Sequence, residues 1–314
     1  MAHVWITGAH GFIGRHLARG LANQGHKVTG IGHGAWPQAE AARWGVSAWI
    51  NGEISASNLG LMQQMAGMPD RVFHLAGGSS VGATFASPQE DFTRTVVSTA
   101  QLLEWLRQQA PTVRMAAISS AAVYGAGHEG AIAEDTRPTP FSPYGAHKLM
   151  MEDLCRSYAA NFGLQVMLPR LFSVYGIQLK KQLLWDICSK LAVGGTVELG
   201  GTGDELRDWT DVRDVVRALD QAVCLASNQA PVLNLATGKA TSVREIATTV
   251  VQSWDSTGAA TQIQFNGQCR AGDPFSLVAN IERMRMHGIA CSIPVSQGIA
   301  EYVDWFRTEA RVSA

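Results

Sequence analysis

The chain has 314 residues, 46% of them hydrophobic, and a formal net charge of −1. That length buries a substantial core as one large domain or two unequal ones, and the near-neutral balance argues against a nucleic-acid partner held by general electrostatics. No apolar run reaches membrane-spanning length, and five dispersed cysteines without CxxC spacing argue against a disulfide or zinc framework, so no metal or membrane is expected.

The opening residues read as a strand, not as a basic start followed by a long apolar stretch, which speaks for a cytoplasmic setting. Val4-Trp5-Ile6 leads into a glycine turn and a helix near Gly14–Gln24. Strands are predicted at Val28–Ile31, Ala48–Ile50 and Arg71–Ala76, followed by a long amphipathic helix through Leu102, Leu103 and Leu106. Met115–Ser119 is a fifth strand, Pro143–Phe162 a long helix and Gln165–Leu168 a further strand. Continuous apolar strands alternating with helices predict a parallel sheet covered on both faces. After Leu171 the rhythm loosens, with helices near Leu183–Val193, Asp211–Leu225 and Val243–Trp254. A smaller lobe interleaved with the end of the sheet would read this way.

Two local patterns carry chemistry. Thr7-Gly8-Ala9-His10-Gly11-Phe12-Ile13-Gly14 sits between the first strand and its helix. Glycines there permit a tight turn, and a helix N-terminus then faces a pyrophosphate. The spacing is GxxGxxG, and a structural turn is its plainer explanation. Tyr144-Gly-Ala-His-Lys148 sets a phenol and an ammonium four residues apart on one helical face. A free tyrosine titrates near 10, and a nearby ammonium, with an oxidised nicotinamide ring, would favour the phenolate. Ser119-Ser120 ends the preceding strand, where a hydroxyl could hold a substrate oxygen. A chance surface pair is the alternative.

Taken together, these residues resemble the extended short-chain dehydrogenase/reductases, the nucleotide-sugar epimerase/dehydratase family, nearly end to end. The glycine turn matches TGxxGxxG. Gly52-Glu53-Ile54 resembles a Gly-Asp-Ile step at the adenine, and His74-Leu75-Ala76-Gly77-Gly78 a strand end along the cofactor. Ser119 to Gly125 resembles SSxxVYG, which makes Ser120 the catalytic hydroxyl beside Tyr144 and Lys148. Ser142 to Lys148 matches SPYxxSK, with His147 at the Ser position. Arg170 to Gly176 resembles RxFNVYG, with Ser173 in place of Asn, and Gly203–Asp214 resembles GxxxRDxxxVxD.

The resemblance implies an α/β, Rossmann-type doubly wound parallel sheet with a smaller C-terminal substrate-binding lobe. Residues 1–172 would form the dinucleotide-binding domain. Residues 173–314 would be mainly the lobe, with about 208–238 returning to the first domain. It implies cofactor contacts from Gly8, Gly11, Phe12, Ile13, Gly14, His33, Glu53, Ile54, Leu75, Ala76, Gly77, Tyr144 and Lys148. Contacts to a nucleoside-diphosphate sugar would come from Ser79, Ser80, Ser120, Ser173, Arg207 and Arg270. Relatives pair through the helices around Asp91–Gln108 and Pro143–Phe162, so a homodimer is implied, with Leu149, Met150, Leu154 and Tyr158 as candidate contacts.

Which reaction follows depends on departures from the family pattern. Dehydratases need an acid and a base beside the catalytic hydroxyl, where this chain has Ala121 and Ala122, and decarboxylases fall for the same reason. NAD-preferring members carry an acidic residue at the end of the second strand. Here Gly32 removes the repulsion against a 2′-phosphate, with His33 a possible donor. The reading therefore favours NADP(H), with NAD(H) possible, and a 4-keto-sugar reductase. A 4-epimerase is the alternative, and a catalytically silent dinucleotide-binding protein the third reading.

Overall fold

Side chains of an extended segment alternate between the faces of its sheet, so the run Val4-Trp5-Ile6 must be apolar on both sides if both are covered. The computed structural model, which describes residues 1–78, 81–255, 262–268 and 274–312, shows both covered. Val4, Ile6, Val28, Phe73 and Ala116 pack against Leu17, Leu21, Val215 and Leu219. On the other face Trp5, Ile31, Val72 and Met115 pack against Leu102, Leu106, Met151 and Cys155. A helix layer thus lies on each side.

The sheet runs Val232–Leu235, Gln165–Leu171, Arg114–Ala117, Arg71–His74, His3–Thr7, Lys27–Gly32, Val46–Asn51. Every pairing in it is parallel, and the short strand Ser119–Ser120 joins it beside Gln165–Leu171. This is the doubly wound Rossmann architecture. Because the strands are parallel, their carboxyl ends share one edge, where such sheets bind ligands.

The strand expected over Arg71–Ala76 stops at His74. Beyond it the backbone passes under Gly8, and the Ala76 N–H donates to Thr7 Oγ1 at 3.2 Å. His74 itself is buried between Thr7 Oγ1 (2.7 Å) and Thr99 Oγ1 (2.9 Å). Burial, with the nearby Lys148 charge, draws its pKa down to about 3, so it stays neutral.

Among the helices that went unread in the sequence are Gln38–Arg43, Ala56–Ala66 and Val295–Val312. The second is capped by Ser55, whose Oγ accepts the Asn58 N–H, but it buries only Leu59 and Met62, too few for a clear stripe. The last buries Ile299, Tyr302, Val303 and Phe306, a spacing that follows a helical face. It packs with Ile187, Leu191 and Val250 in a third core made from the second half of the chain. A small sheet joins Thr241–Ser242, Leu206–Arg207, Ser276–Ala279 and Ala131–Ile132, so the two halves are tied by strand pairing. Among the described residues no helix is long and apolar enough to cross a membrane.

Candidate active site

The first strand ends in a turn that only glycine can make. Gly8 has φ +72°, and a Cβ there would lie 2.9 Å from the Ala76 nitrogen and 3.0 Å from the Leu75 carbonyl carbon. A Cβ on Gly14 would meet the Gly8 oxygen at 2.3 Å. The helix Phe12–Asn23 starts at Gly11 with no side-chain cap and no acidic residue in its first turn. Its first N–H groups therefore keep no intrahelical partner, and the dipole end stays uncompensated. A cradle lined by backbone N–H groups, with no room for Cβ atoms, fits the pyrophosphate of a dinucleotide.

From the turn the predicted residues follow one another across the sheet edge. Leu75 and Ala76 lie against Gly8. A Cβ on Gly77 would sit 3.3 Å from Lys148 Nζ and 3.1 Å from Thr95 Oγ1, while Thr95 Oγ1 accepts the Gly78 N–H at 2.9 Å. Ser142 Oγ caps the helix Pro143–Phe162 by accepting the Gly145 N–H, which fixes the first turn carrying Tyr144. Ser120 is near enough to the Tyr144 phenol to draw its pKa down. Ser120 Oγ accepts the Ala122 N–H at 3.2 Å, so that its own proton is free to be donated.

Electrostatics differ in one respect from the expectation that Lys148 draws the phenol down. Lys148 Nζ donates to the Ile118 carbonyl at 2.8 Å. Burial raises the Tyr144 pKa, the Ser120 hydroxyl acts in the opposite sense, and Asp91 pushes it up again. The Lys148 ammonium is itself drawn down to about 8 by burial, against the pull of Asp91 and Glu152.

Other predicted residues lie apart from this group. Ile54 is buried while Glu53 and His33 are exposed. Gly32, with Trp49 packed close to it, ends the second strand. Ser173 pairs in register with Trp209, and Arg207 lies two residues earlier, its NH1 donating to the carbonyls of Leu206 and Phe275. Ser79, Ser80 and Arg270 fall outside the described residues.

Four residues at the site were not singled out for it in the sequence. Thr95 holds Gly78, as above. Asp91 is bonded to His147. Glu152 and Arg170 form a buried pair below Ser119. The one available signal was His147, a titratable side chain beside Lys148 where the family pattern has serine.

Residues 4–236 match the model of the NAD dependent epimerase/dehydratase family. A UDP-glucose 4-epimerase of Mycolicibacterium smegmatis is 28% identical, over 98% of this chain and 99% of that protein. Among solved structures, MoeE5 in complex with UDP-glucuronic acid and NAD is 32% identical, with a TM-score of 0.85 over 98% of this chain and 99% of that one. A UDP-glucuronic acid 4-epimerase from Bacillus cereus, in complex with UDP-glucuronic acid and NAD, is 26% identical, with a TM-score of 0.85 and the same coverage.

Proposed function

This chain belongs to the NAD dependent epimerase/dehydratase family, and we propose that it is a UDP-hexose 4-epimerase that keeps its NAD bound throughout the catalytic cycle. The observation that carries the reading is Ser120 beside Tyr144, with Lys148 one helical turn on and two alanines after the serine. Ala121 and Ala122 cannot exchange protons, so elimination is unsupported and a hydride step at C4 is what the site can serve.

The same residues would serve a 4-keto reductase. The relatives tip the choice, because those named above are described as UDP-sugar 4-epimerases or as complexes with UDP-sugar and NAD. In this reading Ser120 donates to the C4 oxygen and Tyr144 takes the C4 hydroxyl proton and later returns it. Lys148 supplies a positive charge that favours the phenolate when it forms. Bound NAD would accept the C4 hydride and give it back on the opposite face of the sugar. Inversion then needs a firm grip on the diphosphate and a loose one on the hexose. We assign the first to Arg207 with Arg270, and the sugar contacts to Ser120 and Ser173.

For the cofactor, Gly32 tolerates a 2′-phosphate but brings no cation to it. Arg15 lies under this edge against Trp36 and Trp44, with Nε and NH2 donating to the His10 carbonyl. That supports NAD over NADP. The purified protein should carry about one NAD per chain, and UDP-glucose and UDP-galactose, or the corresponding uronates, should interconvert without added cofactor. NADPH-dependent reduction of a 4-keto sugar without epimerisation would make the reductase the correct reading.

We also propose a homodimer through the helices Ser98–Gln109 and Pro143–Phe162. Leu149 and Leu154 pack against cores of their own chain, so they are weaker candidates than the sequence suggested. Met150 and Phe162 are 45% and 51% exposed, and Phe92 and Val97 stand out beside the same helices. Exposed apolar side chains on and beside these helices suit a second copy. Sedimentation at micromolar concentration should give a dimer, and Met150→Arg should shift it toward monomer. A monomeric parent protein would end this proposal.

A further inference from the structure

We propose that Asp91 and His147 form a positioning pair for Tyr144 and Lys148: the imidazole holds one carboxylate oxygen while the other stands uncommitted beside the phenol. The inference rests on the reading of Tyr144 and Lys148 as the proton-transfer pair. His147 Nδ1 lies 2.5 Å from Asp91 Oδ2, and Asp91 is only 5% exposed. Oδ1 is buried and has no hydrogen-bond partner among the described residues. It lies 1.6 Å from where a Cβ on Gly78 would be, and Tyr144 Cδ2 lies 3.3 Å from the same point. Only glycine at 78 leaves room for the carboxylate to stand against the phenol ring.

A buried carboxylate oxygen without a donor destabilises a fold, and its charge is poorly screened there. The groups around the pair decide where that charge is felt. On the helix of His147 these are Tyr144, Lys148 and Glu152, the last already bonded to Arg156 and Arg170. From the segment carrying Asp91 come Thr95, the Phe92 ring edge-on to His147 at 5.4 Å, and the exposed Glu90–Arg94 pair. From the strand side comes Ser120. Tyr144 and Lys148 are thus the groups left to respond. The carboxylate pushes the phenol toward its protonated form and holds the ammonium charged against burial. The resting site therefore keeps Tyr144 neutral and Lys148 charged, and His147 fixes where the carboxylate that does so stands.

The test is an ultraviolet difference titration of tyrosinate on the purified protein, each variant being compared with its own Tyr144→Phe counterpart to isolate Tyr144. Asp91→Asn preserves shape and the contact with His147. It should lower the Tyr144 midpoint by about one pH unit, the scale of one unscreened neighbouring charge. Lys148, already at about 8, is neutral in that range, so the shift reports Asp91 directly. An unmoved midpoint overturns the proposal. His147→Gln retains a donor to Asp91 and should keep the parent's Tyr144 midpoint, whereas His147→Leu, which leaves the carboxylate unheld, should lower it as the carboxylate moves off the phenol. If Asp91→Asn does not fold, an unmoved midpoint in His147→Leu overturns the proposal. The titration needs no turnover, so it stands even if the epimerase reading fails. Full activity in Tyr144→Phe would sink that reading instead.

Discussion

Tyr144→Phe is expected to cut turnover by about 10²- to 10⁴-fold, the usual contribution of one positioned proton-transfer group. The ring would keep its place beside Gly78, because the substitution removes only the hydroxyl. Cofactor binding should survive, since the glycine turn and the backbone at Leu75 and Ala76 are untouched. The variant should therefore purify with the parent's NAD content while failing to interconvert the sugars. The parent's turnover should fall as pH rises past about 8, where Lys148 loses its proton and can no longer favour the phenolate. Full activity in the variant would remove Tyr144 from the mechanism. Loss of NAD together with activity would make its role structural.

Glu152→Gln is expected to destabilise the protein by about 3–5 kcal/mol, the cost of leaving one partner of a buried ion pair uncompensated. Glu152 accepts from Arg170 Nε at 2.9 Å and NH2 at 2.7 Å, from Ser119 Oγ at 2.6 Å and from Arg156 NH2 at 2.6 Å. Both members of the pair are buried, Glu152 at 0% and Arg170 at 1% exposure. Burial raises the carboxyl pKa, and the Arg170 hydrogen bonds and charge more than reverse that, so Glu152 is ionised in the fold. Arg170 cannot escape by losing its proton. Its strand pairs Arg170 with Ser119 in register, so a displaced Arg170 also disturbs the neighbouring Ser120. Urea titration should show the midpoint falling steeply, with turnover falling as Ser120 shifts. The double change Glu152→Met with Arg170→Met should cost much less, because it leaves no charge stranded. A loss below about 1 kcal/mol in the single variant would mean that the pair does not hold this corner of the site.

The relation between chain and fold shows in which features each level decided. Trp5 between Val4 and Ile6, the glycines at 8, 11 and 14, and Tyr144 one turn before Lys148 are local patterns. Their physics acts over a few residues, through strand alternation, a turn with positive φ and helical spacing, so the order of residues alone determined the parallel sheet, the glycine turn and the Tyr144–Lys148 spacing on one helix. Closing the chain decided the rest. Asp91 meets His147 across 56 positions, and Ser119 meets Glu152 across 33. Glycine at 78 matters only because a carboxylate from a distant helix stands against it. The strand after Arg71 ended early because Ala76 turned its N–H to Thr7, and the final helix found its apolar partners in a core built from distant segments. Such features depend on burial, and burial is a property of the closed fold: a charge that water would screen becomes decisive once the fold excludes water from it.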